Sequence, residues 1–162
     1  MVGSVIKIGM ADLSAARDPS VLITLGLGSC VGICLYDPIN KIIGMAHVML
    51  PSSADIKNNG NKAKFADTAI NVLIEHMSDL GANRSRLTAK IAGGAQMFSF
   101  KSANDLMRIG ERNVEAVKRE LEKHSIPVIA EDVGGNYGRS IEFDSANGEL
   151  RIKTIGHGKK TI

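Results

Sequence analysis

The 162-residue chain contains no tryptophan, four phenylalanines, two tyrosines and only two cysteines. Its length is typical of one domain, so we expect a single domain over residues 1–162 with an aliphatic core. No apolar run reaches the 18 residues of a transmembrane helix. The first residues also lack the basic start and apolar stretch of a signal peptide. These absences predict a cytoplasmic protein.

A strong excess of charge of one sign is also missing. The chain has 20 basic and 17 acidic residues, a formal net charge of +3. Nucleic-acid-binding domains carry a clustered basic stripe, so we expect no nucleic-acid partner. The one basic cluster, Lys159–Lys160, lies near the end of the sequence, where we predict a flexible tail over residues 155–162.

The two cysteines, Cys30 and Cys34, do not have the spacing of a disulfide or a zinc site. Four residues along one strand separate Cα atoms by about 13 Å, which a disulfide cannot bridge. The four histidines show no metal-ligand spacing either. We therefore expect neither a metal nor a cofactor. Cys34 is interpreted as a core residue.

Apolar, β-branched runs predict seven strands, at residues 21–25, 31–36, 41–50, 88–92, 128–132, 140–143 and 150–155. Helical periodicity predicts helices at 65–80 and about 109–124. The polar stretch 52–64 reads as an exposed loop. Turn signals at 37–40 and at Asn147–Gly148 predict two hairpins, which require antiparallel neighbours. We therefore expect an α+β fold with a mixed sheet arrangement.

The first hairpin brings a cysteine and a histidine together. If residues 37–40 form the loop, Tyr36 pairs with Lys41, and Cys30 then falls opposite His47. Opposite residues on paired strands share a face, with Cβ atoms about 4.5–5.5 Å apart. A slip of one residue would turn His47 to the other face. The prediction therefore depends on a regular ladder.

A paired cysteine and histidine suit nucleophilic attack on an amide or ester carbonyl. An imidazolium stabilises the thiolate, which is the reactive form of cysteine. The preceding turn includes Gly28 and Ser29, whose backbone N–H groups are candidate oxyanion donors. The pattern alone also fits a simpler interpretation, in which Cys30 is a small buried apolar residue. The glycine-rich stretch 133–139 fits either an anion cradle or, in our preferred interpretation, a structural turn close to the site.

At these residues the chain resembles the CheD family of chemoreceptor glutamine deamidases. The resemblance rests on five stretches, which are TLGLGSCVGICLYD (24–37), GMAHVMLP (44–51), AGGAQMF (92–98), IGERN (109–113) and EDVGGNYGRSIEFD (131–144). It extends over about residues 5–155. The combination of GSC, AHxxLP and DVGGxxGR is specific, although each piece alone is weak.

The resemblance implies an enzyme that hydrolyses glutamine side chains of chemoreceptors to glutamate, in chemotaxis signalling. It implies Cys30 as nucleophile, His47 as general base and acid, and Thr24 as the residue that supports His47. From the pattern alone, Thr24 is an ordinary β-branched strand residue.

The resemblance also implies two packed mixed β-sheets with helices on the outer faces, similar to bacterial toxin deamidases. A CheC-type phosphatase is the implied partner, and chemoreceptor helices are the implied substrate. Two other functions remain open at this point. One is a non-catalytic module that binds the phosphatase or the receptor, and the other is thiol redox sensing, for which Cys34 is badly placed.

Overall fold

A computed structural model of the chain describes residues 3–54, 60–97 and 108–162. These ranges contain two α-helices, α1 (Ala66–Asp79) and α2 (Ile109–Lys123). They also contain ten strands, which are β1 (Ser4–Ile8), β2 (Leu13–Arg17), β3 (Ser20–Leu27), β4 (Val31–Asp37), β5 (Ile42–Val48), β6 (Thr88–Gly93), β7 (Val128–Val133), β8 (Arg139–Asp144), β9 (Leu150–Thr154) and β10 (Gly158–Thr161).

The strands form two five-stranded mixed sheets. Sheet 1 has the order β1-β3-β8-β9-β10, and only its β1–β3 pair is parallel. Sheet 2 has the order β2-β5-β4-β6-β7, and only its β6–β7 pair is parallel. The sheets pack face to face within a single domain. The predicted α+β class with two packed mixed sheets is therefore confirmed.

The central strands of sheet 2 are buried on both faces. All seven residues of β4 and all seven of β5 are buried. In β4, Cys34 and Tyr36 pack in the core between the sheets, whereas Ile33 and Leu35 pack in the core beneath the helices. This double burial explains why the two strands read as continuous apolar runs rather than as alternating ones.

Both helices cover the outer face of sheet 2. Their buried residues, including Leu73 and Met77 of α1 and Val117 and Leu121 of α2, join the core that faces β4 and β5. Helix α1 ends at Asp79, Leu80 caps it, and Gly81 follows with a positive φ of 106°. Gly44 of β5 allows this close docking, because a Cβ there would lie 2.6 Å from the Met77 sulfur. None of the helices in the described ranges is long and apolar enough to cross a membrane.

Three strands lie where the sequence analysis placed none. The two N-terminal strands, β1 and β2, pair with β3 and β5 respectively. The predicted flexible tail at 155–162 is wrong, because residues 158–161 form β10 and pair with β9. Two contacts hold this end of the chain: Lys160 Nζ lies 2.8 Å from Asp132 Oδ1, and Lys90 Nζ donates to the Ile162 carbonyl. The sequence of β10 shows no apolar pattern, since all four of its residues are exposed. Of the predicted 52–64 loop, residues 55–59 lie outside the described residues, and a short 3-10 helix forms at Lys62–Lys64.

The β4–β5 hairpin has a register different from the predicted one. Asp37 pairs with Ile42 and Gly32 pairs with His47, so the predicted pairing of Cys30 with His47 is wrong by two residues. Asp37 causes the shift because its buried carboxylate accepts hydrogen bonds from the Ile39 and Asn40 N–H groups and organises the turn from within the strand. A slip of two residues preserves the face of every side chain, whereas a slip of one would have reversed it.

Asp37 therefore anchors the hairpin that carries His47. Burial opposes ionisation of its carboxyl, but the Asn83, Asn40 and Ile39 N–H groups and the Arg86 guanidinium outweigh that effect. They hold the pKa of Asp37 below its usual value.

We expect Asp37→Asn to lower the free energy of unfolding at pH 7 by about 2 kcal/mol, because hydrogen bonds and an ion pair to a buried carboxylate are lost. The pKa is lower in the folded state. The carboxylate therefore stabilises fully above its unfolded pKa of about 3.9, and the benefit disappears as the pH falls through the folded pKa. Denaturant unfolding between pH 2 and 7 measures both effects. Glu75→Gln, a change at an exposed residue of α1, is the control, and equal losses in the two variants would contradict the prediction.

Candidate active site

His47 lies in the core between the two sheets. It is on β5 and pairs with Gly32 of β4. Only 1% of its surface is exposed, and its ring faces sheet 1. Thr24 reaches the ring from β3 of sheet 1, with its hydroxyl oxygen 2.7 Å from His47 Nδ1. A bulge between Thr24 and Leu27 follows directly in β3. The hydrogen bond therefore joins the sheets across their interface.

The Thr24 hydroxyl fixes the tautomer of His47. Its oxygen also lies 2.7 Å from the carbonyl oxygen of Ile8, and a carbonyl can only accept. The hydroxyl proton is therefore donated to Ile8, and the oxygen accepts from Nδ1–H of His47. This network assigns the proton of the neutral ring to Nδ1 and leaves the lone pair on Nε2. That Nε2 atom is buried and has no hydrogen-bond partner among the residues that the structure describes.

Cys30 lies one residue before β4, at the mouth of the same core. It packs among the apolar side chains between the sheets, and 8% of its surface is exposed. With Gly32 opposite His47, the position of Cys30 is diagonal to the histidine. Diagonal partners in a regular ladder lie about 7–8 Å apart, which is within reach of long side chains. The structure thus brings both residues to the same side of sheet 2 without a thiol–imidazole hydrogen bond.

The electrostatics favour a neutral pair in the resting protein. Burial raises the pKa of the Cys30 thiol, and the backbone N–H of Cys30 offsets this rise in part. Burial lowers the pKa of His47. These directions differ from the imidazolium–thiolate pair that the sequence analysis assumed. They suit a neutral imidazole that accepts the thiol proton during attack.

The remaining sequence candidates lie in the turn before Cys30. Gly28 and Ser29 occupy a bend between β3 and β4. Met97 covers Gly28, where a Cβ would lie 3.3 Å from Met97 Cγ.

Cys34 is fully buried and unpaired, as expected for a core residue, and burial raises the pKa of its thiol.

The turn is held by its carbonyl groups. The Gly28 carbonyl accepts from the Ala95 N–H at 2.9 Å, and the Cys30 carbonyl accepts from the Gly94 N–H at 2.8 Å. The Ser29 carbonyl, which lies between them, accepts from the Asn113 side chain at 3.0 Å. The segment directly after β6 and helix α2 therefore fix three consecutive peptide groups around the thiol.

Two further buried polar residues surround this turn. Asn113 of α2 is fully buried, and Arg139 of β8 is 1% exposed. Arg139 pairs with Asp132 at 3.1 Å and donates to the carbonyls of Gly93 and Gly134. It thereby ties the glycine-rich stretch 133–139 to the end of β6. This agrees with our interpretation of that stretch as a structural turn near the site.

The buried polar atoms without a partner all belong to this region. In the described part of the chain they are His47 Nε2, Asn113 Oδ1 and Arg139 Nη2. Buried unpaired polar atoms are rare in native proteins and concentrate at functional sites. Of these three residues, only His47 is a site candidate from the sequence. Asn113 and Arg139 lie within IGERN and DVGGNYGR, two of the stretches that carried the resemblance, but periodicity gives neither residue a role.

The fold and this cluster define a two-sheet α+β protein with a buried cysteine, histidine and threonine around one turn. A family model described as CheD chemotactic sensory transduction matches residues 49–154. Curated relatives match the whole chain at more than half identity, including the residues before 49 that contain Thr24, Cys30 and His47. The chain belongs to the CheD family.

Two relatives illustrate the similarity. The "Probable chemoreceptor glutamine deamidase CheD" of Caldanaerobacter subterraneus is 58% identical over 162 residues and is covered completely, as is this chain. The "Chemoreceptor glutamine deamidase CheD" of Halalkalibacterium halodurans is 54% identical over 162 residues, 99% of this chain and 100% of that protein. Among solved structures, the hypothetical protein YfiH of Bacillus licheniformis aligns with a TM-score of 0.46 and 18% identity, over 75% of this chain and 49% of that chain.

Gly93 offers a test of how tightly the turn is held. Its φ is +114°, and a Cβ there would lie 2.2 Å from the Cys30 carbonyl oxygen and 3.2 Å from Val31 Cα. Both contacts are with backbone atoms, so relief requires a shift of the turn. We expect Gly93→Ala to lower the free energy of unfolding by about 2–3 kcal/mol in denaturant titrations. Gly9→Ala is the matched control, because nothing lies within 4 Å of that Cβ. Equal stability of the two variants would contradict the prediction.

Proposed function

We propose that this protein is a cysteine-dependent protein-glutamine deamidase that converts chemoreceptor glutamines to glutamate with release of ammonia. The names of the full-length relatives support the reaction and its substrate. The observation that carries the mechanism is the state of His47. Its Nδ1 is hydrogen bonded to Thr24, and its buried Nε2 has a lone pair and no partner within residues 3–54, 60–97 and 108–162. The ring lies on the same side of sheet 2 as Cys30.

The proposed chemistry follows from this neutral pair. His47 Nε2 accepts the Cys30 thiol proton while the sulfur attacks the glutamine carboxamide carbon. Backbone N–H groups of the turn, with Gly28 and Ser29 as candidates, stabilise the oxyanion. The imidazolium then gives its proton to the departing nitrogen, so that ammonia leaves and a thioester forms. His47 next removes a proton from water, which hydrolyses the thioester to glutamate and restores the thiol.

Thr24 has a supporting role in this proposal. Its hydroxyl holds the imidazole in the tautomer whose Nε2 can accept a proton. It also stabilises the imidazolium that forms in each half of the reaction, because Nδ1–H remains hydrogen bonded. Thr24 does not exchange a proton with the substrate.

The substrate surface and partner form the broader part of the proposal. The modified glutamines lie on cytoplasmic helices of chemoreceptors, and a CheC-type phosphatase binds the protein and modulates the reaction. Of the two residues, Cys30 is the more exposed, with 8% of its surface accessible against 1% for His47. We therefore expect a receptor glutamine side chain to approach from the side of the turn.

Replacement of the thiol tests the reaction directly. We expect Cys30→Ala and His47→Ala to abolish deamidation, measured as a mass increase of about 1 Da per glutamine and as released ammonia. Cys34→Ala is the control: it removes the other buried thiol, lowers stability, and leaves turnover within about threefold. Full activity of Cys30→Ala would reject thiol catalysis and would favour the alternative of a non-catalytic binding module.

The hydroxyl of Thr24 is tested by a pair of substitutions. Thr24→Val keeps the shape of the side chain but leaves His47 Nδ1–H and the Ile8 carbonyl unpaired, so we expect kcat to fall about 100-fold. Thr24→Ser keeps the hydroxyl and should retain most of the activity. Steady-state kinetics on a receptor fragment provides the measurement. Equal kcat values for the two variants would show that the hydroxyl is not needed.

A further inference from the structure

Asn113 joins the two segments that carry the proposed catalytic residues. Its Nδ2 lies 3.0 Å from the carbonyl oxygen of Ser29, directly before Cys30. The same atom lies 3.0 Å from the carbonyl oxygen of Met49, two residues after His47. The side chain is fully buried on helix α2. One amide group therefore connects the nucleophile turn, the end of β5 and the helix layer.

The contacts require an amide nitrogen at this point. Nδ2 has two hydrogens, and each of the two carbonyls accepts one. The opposite orientation of the amide would set its oxygen against two carbonyl oxygens, which is repulsive, so the network assigns nitrogen and oxygen. This orientation leaves the other amide atom, Oδ1, buried and without a donor in the described ranges of the chain. Such a cost in a core is retained where the polar group has a function.

The contact to Ser29 also sets the direction of the next N–H group. In a trans peptide the C=O and N–H bonds of one plane point in opposite directions. Since the Ser29 carbonyl points at helix α2, the Cys30 N–H points away from the helix. The Cys30 side chain also lies away from the helix layer, in the core between the sheets. The Cys30 N–H is therefore on the side where an oxyanion forms when the sulfur attacks a carbonyl.

We propose that Asn113 is a positioning residue for deamidation: it orients the Ser29–Cys30 peptide so that the Cys30 N–H donates to the oxyanion. The inference rests on the proposed function of Cys30. It adds a specific donor to the turn and assigns a role to a residue outside the cysteine, histidine and threonine set. Asn113 itself does not touch the substrate.

The test compares Asn113→Ala with Val117→Ala. Val117 lies one turn further along α2, is fully buried, and packs in the helix-facing core, so its truncation also loosens the helix without touching the turn. We expect kcat of Asn113→Ala to fall about 100-fold with KM within threefold, as for loss of an oxyanion donor. Val117→Ala should retain kcat within threefold. Both are measured well below their unfolding temperatures.

Two probes of the thiol separate positioning from general damage. A receptor peptide with an aldehyde in place of the glutamine carboxamide adds to Cys30 and needs the oxyanion donor. Iodoacetamide alkylates the same thiol by direct displacement and does not need it. For Asn113→Ala we expect aldehyde affinity to fall about 100-fold, in parallel with kcat, while the alkylation rate stays within threefold of wild type. If Asn113→Ala does not fold, Asn113→Ser keeps one donor and should show about a tenfold loss in both kcat and aldehyde affinity.

Several outcomes would overturn the inference. One is a kcat and aldehyde affinity for Asn113→Ala within threefold of Val117→Ala. Another is an equal loss in aldehyde addition and alkylation, which would mean general damage to the thiol. Failure of the proposed function itself looks different, because Cys30→Ala would then remain active and the aldehyde would not inhibit the wild-type protein.

Discussion

The hydrogen bond between Thr24 and His47 is the interaction on which the site depends. It crosses the core between the two sheets, where the neighbouring side chains are mostly apolar. A buried imidazole without partners would be costly there. Because Thr24 passes its own proton to the Ile8 carbonyl, the bond has one direction and selects one tautomer. The packing of sheet 1 on sheet 2 therefore determines which ring nitrogen can act as a base. Core packing and chemistry are joined at this contact.

The turn before Cys30 is likewise held by hydrogen bonds between distant parts of the chain. Gly94 and Ala95, directly after β6, donate their N–H groups to the Cys30 and Gly28 carbonyls, and Asn113 of α2 donates its amide to the carbonyl between them. A turn held through its carbonyls must present its N–H groups to the other side. Gly93 lets β6 come this close, since any larger residue would meet the Cys30 backbone. Among the described residues, the buried side-chain atoms without a partner (His47 Nε2, Asn113 Oδ1 and Arg139 Nη2) lie around this turn, and such atoms destabilise a fold.

The register of the β4–β5 hairpin shows how far the sequence can be followed. The turn signal at residues 37–40 correctly predicted a hairpin, but Asp37 joins the strand and moves the pairing by two positions. The faces survived this error because side chains alternate with a period of two. The sequence could not reveal Asn83 and Arg86, which are distant in the chain yet hold the Asp37 carboxylate. Strands β1, β2 and β10 are short edge strands of four or five residues, and β10 is exposed throughout, so the sequence gives only a weak strand signal there.

By itself the sequence determined the class of fold, the two helices, the apolar strands and the residue types on which thiol chemistry depends. Local periodicity and turn chemistry are written in neighbouring residues, so they can be read along the chain. Only the tertiary structure decided that Thr24 reaches His47 from the other sheet and that Asn113 bridges two segments. It also decided that burial raises the pKa of the Cys30 thiol and lowers the pKa of His47. These properties depend on burial and on contacts between residues far apart in sequence. Such contacts exist only after the sheets and helices have packed.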